Sequence, residues 1–247
     1  MVGVEAAYGF GDCLFLAPLL RRIAEHHGGA PVEVAVQAQC ADAFQNLPWV
    51  GKITHIVNLH DGMAHFKRQG NPARYQVTPN VYFPEFSARD STHSLIDCAL
   101  WTGRLLGFGD IDQRPIFIPT REEEATDFGF TRPVIAVESH YKSGQSWAQE
   151  GSFGPIVEKY RHSHDIAWLS ASRNPPGTRD MSGYTRRQLI PLLSRCERFF
   201  SVGSGFFCAS LSLPKPPPTV CLWLDHYYRY EGRLAQLGWN QAIRWVH

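Results

Sequence analysis

A glycine-rich turn with one carboxylate stands near the start of the chain, at Gly9-Phe10-Gly11-Asp12. Glycine lets the backbone approach a ligand closely, and the N-terminus of a following helix favours negative charge. Asp12 can also accept the proton of an attacking hydroxyl as a general base. The alternative is that Asp12 only caps the helix, since Asp is a preferred N-cap residue. A dinucleotide fingerprint needs glycine where this chain has Leu14, so an NAD site is disfavoured.

A second group of polar residues follows two predicted strands in the second half of the chain. His140, Tyr141 and Lys142 come directly after one strand, and loops after strands are where α/β folds bind ligands. A single histidine is more often just hydrogen-bonded than catalytic, and that alternative stays open. The turn Gly203-Ser204-Gly205 follows the other strand and precedes a short predicted helix. Both places are candidate ligand contacts.

The elements that position these residues alternate between strand and helix. In the first half, a helix after Asp12 carries an apolar stripe at i, i+3, i+4 and i+7 and ends at Gly28-Gly29. Apolar strands are predicted on either side of it, at 2–7, 32–36 and 53–59. A short helix is expected at 41–47, and 60–90 is expected to be an irregular loop. This order favours a parallel sheet.

The second half repeats the pattern. Strands are predicted at 133–138, 166–170, 198–202 and 219–224, and Thr185 to Gln188 form a capping box that starts a helix. Between the halves, residues 114–131 are expected to be an interdomain linker, and the acidic run 122–124 is expected to be solvated. Two α/β units of similar size predict two Rossmann-like domains facing across a ligand-binding cleft.

The composition excludes several classes of protein. Lys plus Arg number 24 and Asp plus Glu 23, a balance that argues against a nucleic-acid binder. The six cysteines are too widely spaced for a zinc knuckle or a CxxC pair, and we expect buried thiols in a reducing compartment. Glu5 and Asp12 interrupt the apolar N-terminus, which predicts neither a signal peptide nor a transmembrane segment. We therefore expect a cytoplasmic location, with loose attachment to a membrane surface as the alternative.

Several stretches, taken in order, resemble one family. The run 11–21 contains Gly-Asp followed by Pro-Leu-Leu-Arg, and the stretches 32–36 and 47–53 follow it. The capped helix 185–196 and the run 199–205 complete the series. Together they resemble the lipopolysaccharide heptosyltransferases, glycosyltransferase family 9. In that family the last stretch ends in a Gly-Asp-Thr-Gly turn.

The resemblance implies a GT-B fold, with an acceptor-side domain at 1–120 and a nucleotide-sugar donor-side domain at 121–247. It implies inverting transfer of a heptose-like sugar from a nucleotide-sugar to a glycan or other hydroxyl acceptor, lipid-linked acceptors included. No metal and no cofactor are expected. A member of this family would work in the cytoplasm, in some cases peripheral to the inner membrane.

The resemblance also implies roles for individual residues. Asp12 is the catalytic base. Contacts to the donor and its phosphates fall to four residues, which are Gly11, Lys142, Ser204 and Gly205. Further ligand contacts are expected from His140, Tyr141 and Trp147.

The chain departs from the family pattern on the donor side. Ser146 stands where a lysine is expected before Trp147, Gly203 stands where the turn has Asp, and Cys208 stands where a histidine follows. The acidic residue expected to hold the donor ribose is missing from 170–174. Either the donor differs or catalysis has been lost, which would leave a binding or assembly subunit. A sugar-nucleotide epimerase is a further alternative, disfavoured by the absent dinucleotide fingerprint.

Overall fold

The computed structural model describes residues 1–6, 9–58, 61–71, 73–77, 103–104, 106–109, 111–112, 114–139, 153–169, 174–202, 205–222 and 243–246. The chain divides into two compact units, residues 1–118 and 119–247. The predicted division lies two residues later, after residue 120. The acceptor-side and donor-side assignments, and the cleft between the domains, stay predictions.

The first unit is a parallel sheet with helices. Its strands are β1 Val2–Ala6, β2 Val32–Gln37, β3 Val50–Ile56 and β4 Arg74–Val77, in the order β3-β2-β1-β4. All three strand pairs are parallel. Its described helices include α1 Phe10–His26 and α2 Asp61–Arg68, and a 3₁₀ helix spans Ala38–Ala43. The predicted helix at 41–47 is therefore shorter, begins earlier and is of the 3₁₀ type.

Helix α1 ends where the sequence predicts, but it begins at Phe10, before the predicted start after Asp12. Its apolar stripe is buried, with Leu16, Leu19 and Ile23 at most 1% exposed. The backbone turns into the left-handed region at Gly28 and Gly29, with φ of 68° and 82°. The Gly29 N–H donates to the Ala24 carbonyl at 2.9 Å, which satisfies a carbonyl at the helix end.

The prediction of an irregular loop at 60–90 is wrong for its described part, which forms α2 and β4. Phe66 of α2 is fully buried against β1. A Cβ atom at Gly3 would lie 2.6 Å from the Phe66 ring, so only glycine leaves room for it. An eight-residue helix and a four-residue strand have little intrinsic stability. The packing of Phe66 holds α2, and parallel pairing with β1 holds β4.

The second unit contains a six-stranded parallel sheet. Its strands are β5 Val134–Glu138, β6 Asp165–Trp168, β7 Arg179–Asp180, β8 Arg198–Ser201, β9 Thr219–Leu222 and β10 Ile243–Val246. The described helices are α3 Arg121–Glu124, α4 Gly154–Tyr160, α5 Arg186–Leu193 and α6 Gly205–Ser212. The strand order β10-β9-β8-β5-β6-β7 is the Rossmann order 3-2-1-4-5-6, read from the other edge. The α/β class and the Rossmann-like domains are confirmed.

The segment predicted as a solvated linker is tied to the second unit by a buried ion pair. Glu123 Oε1 accepts from Arg187 Nε at 2.6 Å, and Oε2 accepts from Arg187 Nη2 at 2.9 Å. The Arg187 side chain is only 5% exposed. The expectation of a solvated acidic run is therefore wrong at Glu123. Burial of Arg187 requires a carboxylate partner, because an unpaired buried charge is strongly destabilising.

Among the described residues, no helix combines the length and the hydropathy that crossing a membrane would require.

Candidate active site

Each sheet has a point where the chain reverses its direction of winding. In the first unit this point lies between β1 and β4, and in the second it lies between β5 and β8. Open α/β sheets bind ligands beside such points, at the carboxyl ends of the strands. The Gly9–Asp12 turn follows β1, and Gly205 follows β8. The topology therefore brings each of these two predicted sites to the expected edge of its own sheet.

Asp12 lies in the first turn of α1. The helix begins at Phe10 with Gly9 as its N-cap, which makes Asp12 the third helical residue. Asp12 Oδ2 accepts a hydrogen bond from the Gly9 backbone N–H at 3.1 Å. The alternative of Asp12 as the N-cap residue is thus wrong in position, because Gly9 takes that place. The carboxylate does cap the helix from N3, which holds the side chain at the helix start.

Burial raises the pKa of the Asp12 carboxyl to about 6. The hydrogen bonds from the backbone N–H groups of Gly9 and of Asp12 itself oppose this shift without cancelling it. Partial removal of the carboxyl from water disfavours its charged form, which is the cause of the shift. At pH 7 the group is mostly ionised and is a stronger base than an exposed Asp. This suits proton removal from a hydroxyl.

The other predicted site residues are described only in part. Gly11 is buried in the first turn of α1, and Gly205 is the first residue of α6. His140, Tyr141, Lys142, Trp147 and Ser204 lie outside the described residues. The phosphate and ligand contacts of all seven stay predictions.

The three described helices that follow strands in the second unit offer no acid at their starts. The first turns of α4, α5 and α6 contain no Asp or Glu. Backbone N–H groups of a first helical turn have no partner within the helix and carry a partial positive charge. The start of α6, at the carboxyl end of β8, therefore suits a phosphate group.

Sequence reasoning missed two buried glutamates on the central strands. Glu5 of β1 is 0% exposed, and its carboxylate accepts hydrogen bonds from the Met63 N–H at 2.8 Å and from Gln76 Nε2 at 3.1 Å. Glu138 of β5 accepts from Ser201 Oγ at 2.7 Å. A charged residue inside an apolar run is a visible signal, because central parallel strands are normally apolar throughout.

In the part of the chain that the structure describes, no three His, Cys, Asp or Glu side chains are grouped as metal ligands would be.

No protein-family model matches the sequence, and no curated protein matches it either. Solved structures do match. The Escherichia coli ADP-heptose lipopolysaccharide heptosyltransferase II has 12% identity and a TM-score of 0.69, over 100% of this chain and 90% of that chain. The glycosyl transferase family 9 protein of Veillonella parvula has 12% identity and a TM-score of 0.64, over 99% and 85%. The E. coli heptosyltransferase WaaC with ADP has 10% identity and a TM-score of 0.60, over 90% and 86%.

The chain has the fold of the heptosyltransferases. The resemblance found in the sequence is thereby confirmed at the level of the fold, GT-B with Rossmann-like domains.

Proposed function

We propose that this protein is a glycosyltransferase that moves a heptose-like sugar, with inversion, from a nucleotide-sugar donor to a hydroxyl acceptor. The observation that carries the proposal is the match of the whole chain to a heptosyltransferase fold, with Asp12 at the helix start beside β1. The acceptor class is a glycan or a lipid-linked glycan. A cytoplasmic location, peripheral to the inner membrane for a lipid-linked acceptor, belongs to the same proposal.

In this proposal the Asp12 carboxylate removes the proton of the acceptor hydroxyl. The acceptor oxygen forms a bond to the anomeric carbon of the sugar while the bond to the diphosphate oxygen breaks on the opposite face. The nucleoside diphosphate leaves with the electron pair, and the configuration inverts. A pKa of about 6 keeps Asp12 ionised at neutral pH and still basic enough to assist the attack.

The leaving diphosphate gains negative charge during this step. The first turn of α6, which begins at Gly205, presents backbone N–H groups and no acid. Lys142 and Ser204 are proposed to add a cationic group and a hydroxyl. Donors aimed at developing charge are usually a large contribution to catalysis. No step in this scheme uses a metal or a cofactor.

Ligand-dependent melting tests the proposal. ADP and ADP-heptose are the first probes, because similar structures are named for ADP-heptose or hold ADP, and UDP, GDP and CDP complete the panel. A nucleotide at ~100 times its dissociation constant should stabilise the protein by about 2.7 kcal/mol. We expect one nucleotide to raise the melting temperature and the matching nucleotide-sugar to be consumed when a hydroxyl acceptor is added. A protein that no nucleotide stabilises would contradict the proposal.

The second candidate is a catalytically inactive binding or assembly subunit. It is favoured by the donor-side departures, among them Cys208 in the first turn of α6 where the family has histidine. The two candidates differ in turnover. An inactive relative would be stabilised by the nucleotide-sugar and would neither transfer nor hydrolyse the sugar in the presence of acceptor.

A further inference from the structure

Three glutamates are buried within the parallel sheets. Glu5, Glu33 and Glu138 are 0%, 4% and 3% exposed. Burying a carboxylate in a sheet is costly unless hydrogen bonds or charges compensate for it. Such positions are therefore places to look for a function beyond packing.

Glu138 and Ser201 face each other across the winding reversal of the second sheet. They are direct register partners, each the last residue of its strand. Ser201 Oγ donates to Glu138 Oε2 at 2.7 Å, and Ser201 is 0% exposed. The pair joins the ends of β5 and β8 at the edge where this fold class binds ligands.

The chain segments that leave this pair carry the proposed donor residues. β5 continues into the segment that contains Lys142, and β8 continues through Ser204 to Gly205. The spacing of the two strand ends sets where both segments begin. The hydrogen bond between the two last residues adds a side-chain link to the backbone pairing of β5 and β8 at this edge.

Glu5 and Gln76 are the counterpart in the first unit. They are also direct register partners across a winding reversal, and Gln76 Nε2 donates to Glu5 Oε1 at 3.1 Å. A Cβ atom at Gly62 would lie 2.8 Å from Glu5 Oε2, so the backbone of α2 packs directly on this carboxylate. This pair offers the same chemistry in the other domain and serves as a matched control.

Glu33 differs from both. It is the second residue of β2, at the amino end of the sheet, and its partners are Lys52, Thr54 and His65. Its charge is balanced by the Lys52 ammonium at 2.8 Å, and it does not lie at the carboxyl edge where this fold class binds ligands.

We propose that Glu138 and Ser201 form a positioning pair that holds the nucleotide-binding edge of the second domain in its binding geometry. The inference rests on the proposed function. It adds a pair of residues that affect donor affinity through the two chain segments that follow β5 and β8. Neither side chain is required to touch the nucleotide.

Titration of ADP by calorimetry tests the pair, with melting temperatures measured for every variant. Ser201→Ala should raise the dissociation constant at least fivefold. Glu138→Gln keeps an oxygen that accepts from Ser201 and should stay within twofold of wild type. The double variant Glu138→Leu with Ser201→Ala removes the pair without leaving an unpaired buried carboxylate. It should fold and should bind ADP at least fivefold more weakly.

The control is Gln76→Leu, which breaks the corresponding pair in the first domain. It should lower the melting temperature and leave the ADP dissociation constant within twofold of wild type. Equal ADP affinity in wild type and in both Ser201 variants would overturn the inference. An equal loss of ADP affinity in Gln76→Leu would also overturn it, because the loss would then reflect lower stability alone. A wild-type protein that does not bind ADP would overturn the proposed function and the inference with it.

Discussion

The two domains share a parallel sheet wound in two directions from a central strand, but their helix starts differ. In the first domain α1 carries Asp12 in its first turn and α2 begins at Asp61, with Glu5 accepting from the Met63 N–H. In the second domain the first turns of α4, α5 and α6 carry no acid.

The difference concerns which group meets the positive end of each helix. In the first domain the protein supplies its own carboxylates, so an incoming anion would meet like charge. In the second domain the N–H groups of α6 meet no acid from its own first turn, and an anionic ligand can supply the charge. The contrast favours a base and a hydroxyl acceptor in the first domain and a diphosphate in the second.

Asp12→Asn should reduce the transfer rate by about 10²–10⁴-fold, since a positioned base typically contributes that much. The amide introduced by this substitution would keep an oxygen that accepts from the Gly9 N–H. Because burial raises the pKa of Asp12, its ionised form opposes folding at pH 7, so the variant should melt no lower than wild type. The measurements are initial rates with ADP-heptose and melting curves.

Asp61→Asn is the control for Asp12→Asn. Asp61 is an exposed acid in the first turn of α2 and accepts from the Asn58 side chain at 3.1 Å. It should leave the rate within about twofold, as expected for an exposed site outside the mechanism. If Asp12→Asn kept the wild-type transfer rate, Asp12 would not be the base. The contrast between the two domains would then lose its first-domain part.

Glu33 and Asp12 are carboxylates of the first domain whose pKa values are shifted in opposite directions. Hydrogen bonds from Lys52, Thr54 and His65 outweigh desolvation and lower the pKa of Glu33 to about 2. Its folded pKa lies below the ordinary value of 4.5, so its stabilisation is present above pH 4.5 and is lost as the pH falls toward 2. The loss should be roughly 3 kcal/mol, at ~1.36 kcal/mol for each pKa unit.

Acid unfolding followed by circular dichroism measures this loss. Glu33→Gln should be less stable than wild type at pH 7 and should lose less of its stability between pH 4.5 and 2.5. Parallel acid unfolding curves for the two proteins would show that Glu33 does not have a lowered pKa.

Gly205→Asp tests whether the start of α6 binds the diphosphate. It places an acid in the first turn of α6, as Asp12 is in the first turn of α1. Asp in a first turn favours the helix by about 0.3–1 kcal/mol, so the fold should be retained or slightly stabilised. ADP binding should weaken about tenfold, because the new carboxylate meets the diphosphate. Gly205→Asn adds nearly the same volume without the charge, and we expect it to bind ADP more tightly than Gly205→Asp. Equal affinities for the two variants would place the diphosphate away from α6.

The pH dependence of kcat/KM tests the raised pKa of Asp12. With a pKa of about 6 for Asp12, the rate should fall as the pH decreases through 6 and should be about tenfold lower at pH 5 than at pH 7. Melting curves at each pH separate this titration from acid unfolding. A rate that stays constant down to pH 4.5 would mean that the base is an ordinary exposed carboxyl or a different group.

Much of the fold could be predicted because its signals are local. The stripe of α1, its glycine stop and the Thr185 capping box each lie within a few residues, and the structure confirms all three. Helix α2 and strand β4 could not be predicted, because both are short. Helix α2 depends on the packing of Phe66 against Gly3, and β4 depends on its pairing with β1. The two-residue strand β7 likewise depends on its pairing with β6.

The candidate site divides in the same way. Asp12 could be singled out because an acid after glycines at a strand–helix junction is a local pattern. Its place at N3 and its raised pKa required the structure, since both depend on where Gly9 and the buried neighbours lie. The Thr120-x-x-Glu123 capping box is a local pattern that distinguishes Glu123 from the acids beside it. Its ion pair with Arg187 joins residues 64 apart in the chain and required the structure.

The alternation of strands and helices, the two parallel sheets and the position of the Asp12 turn follow from the amino-acid sequence, because periodicity and turn chemistry act over short distances. The strand order depends on tertiary packing, and so do the register pairs Glu5–Gln76 and Glu138–Ser201. Strands distant in sequence become neighbours through packing, and a buried carboxylate acquires its partner and its pKa only once that packing has formed.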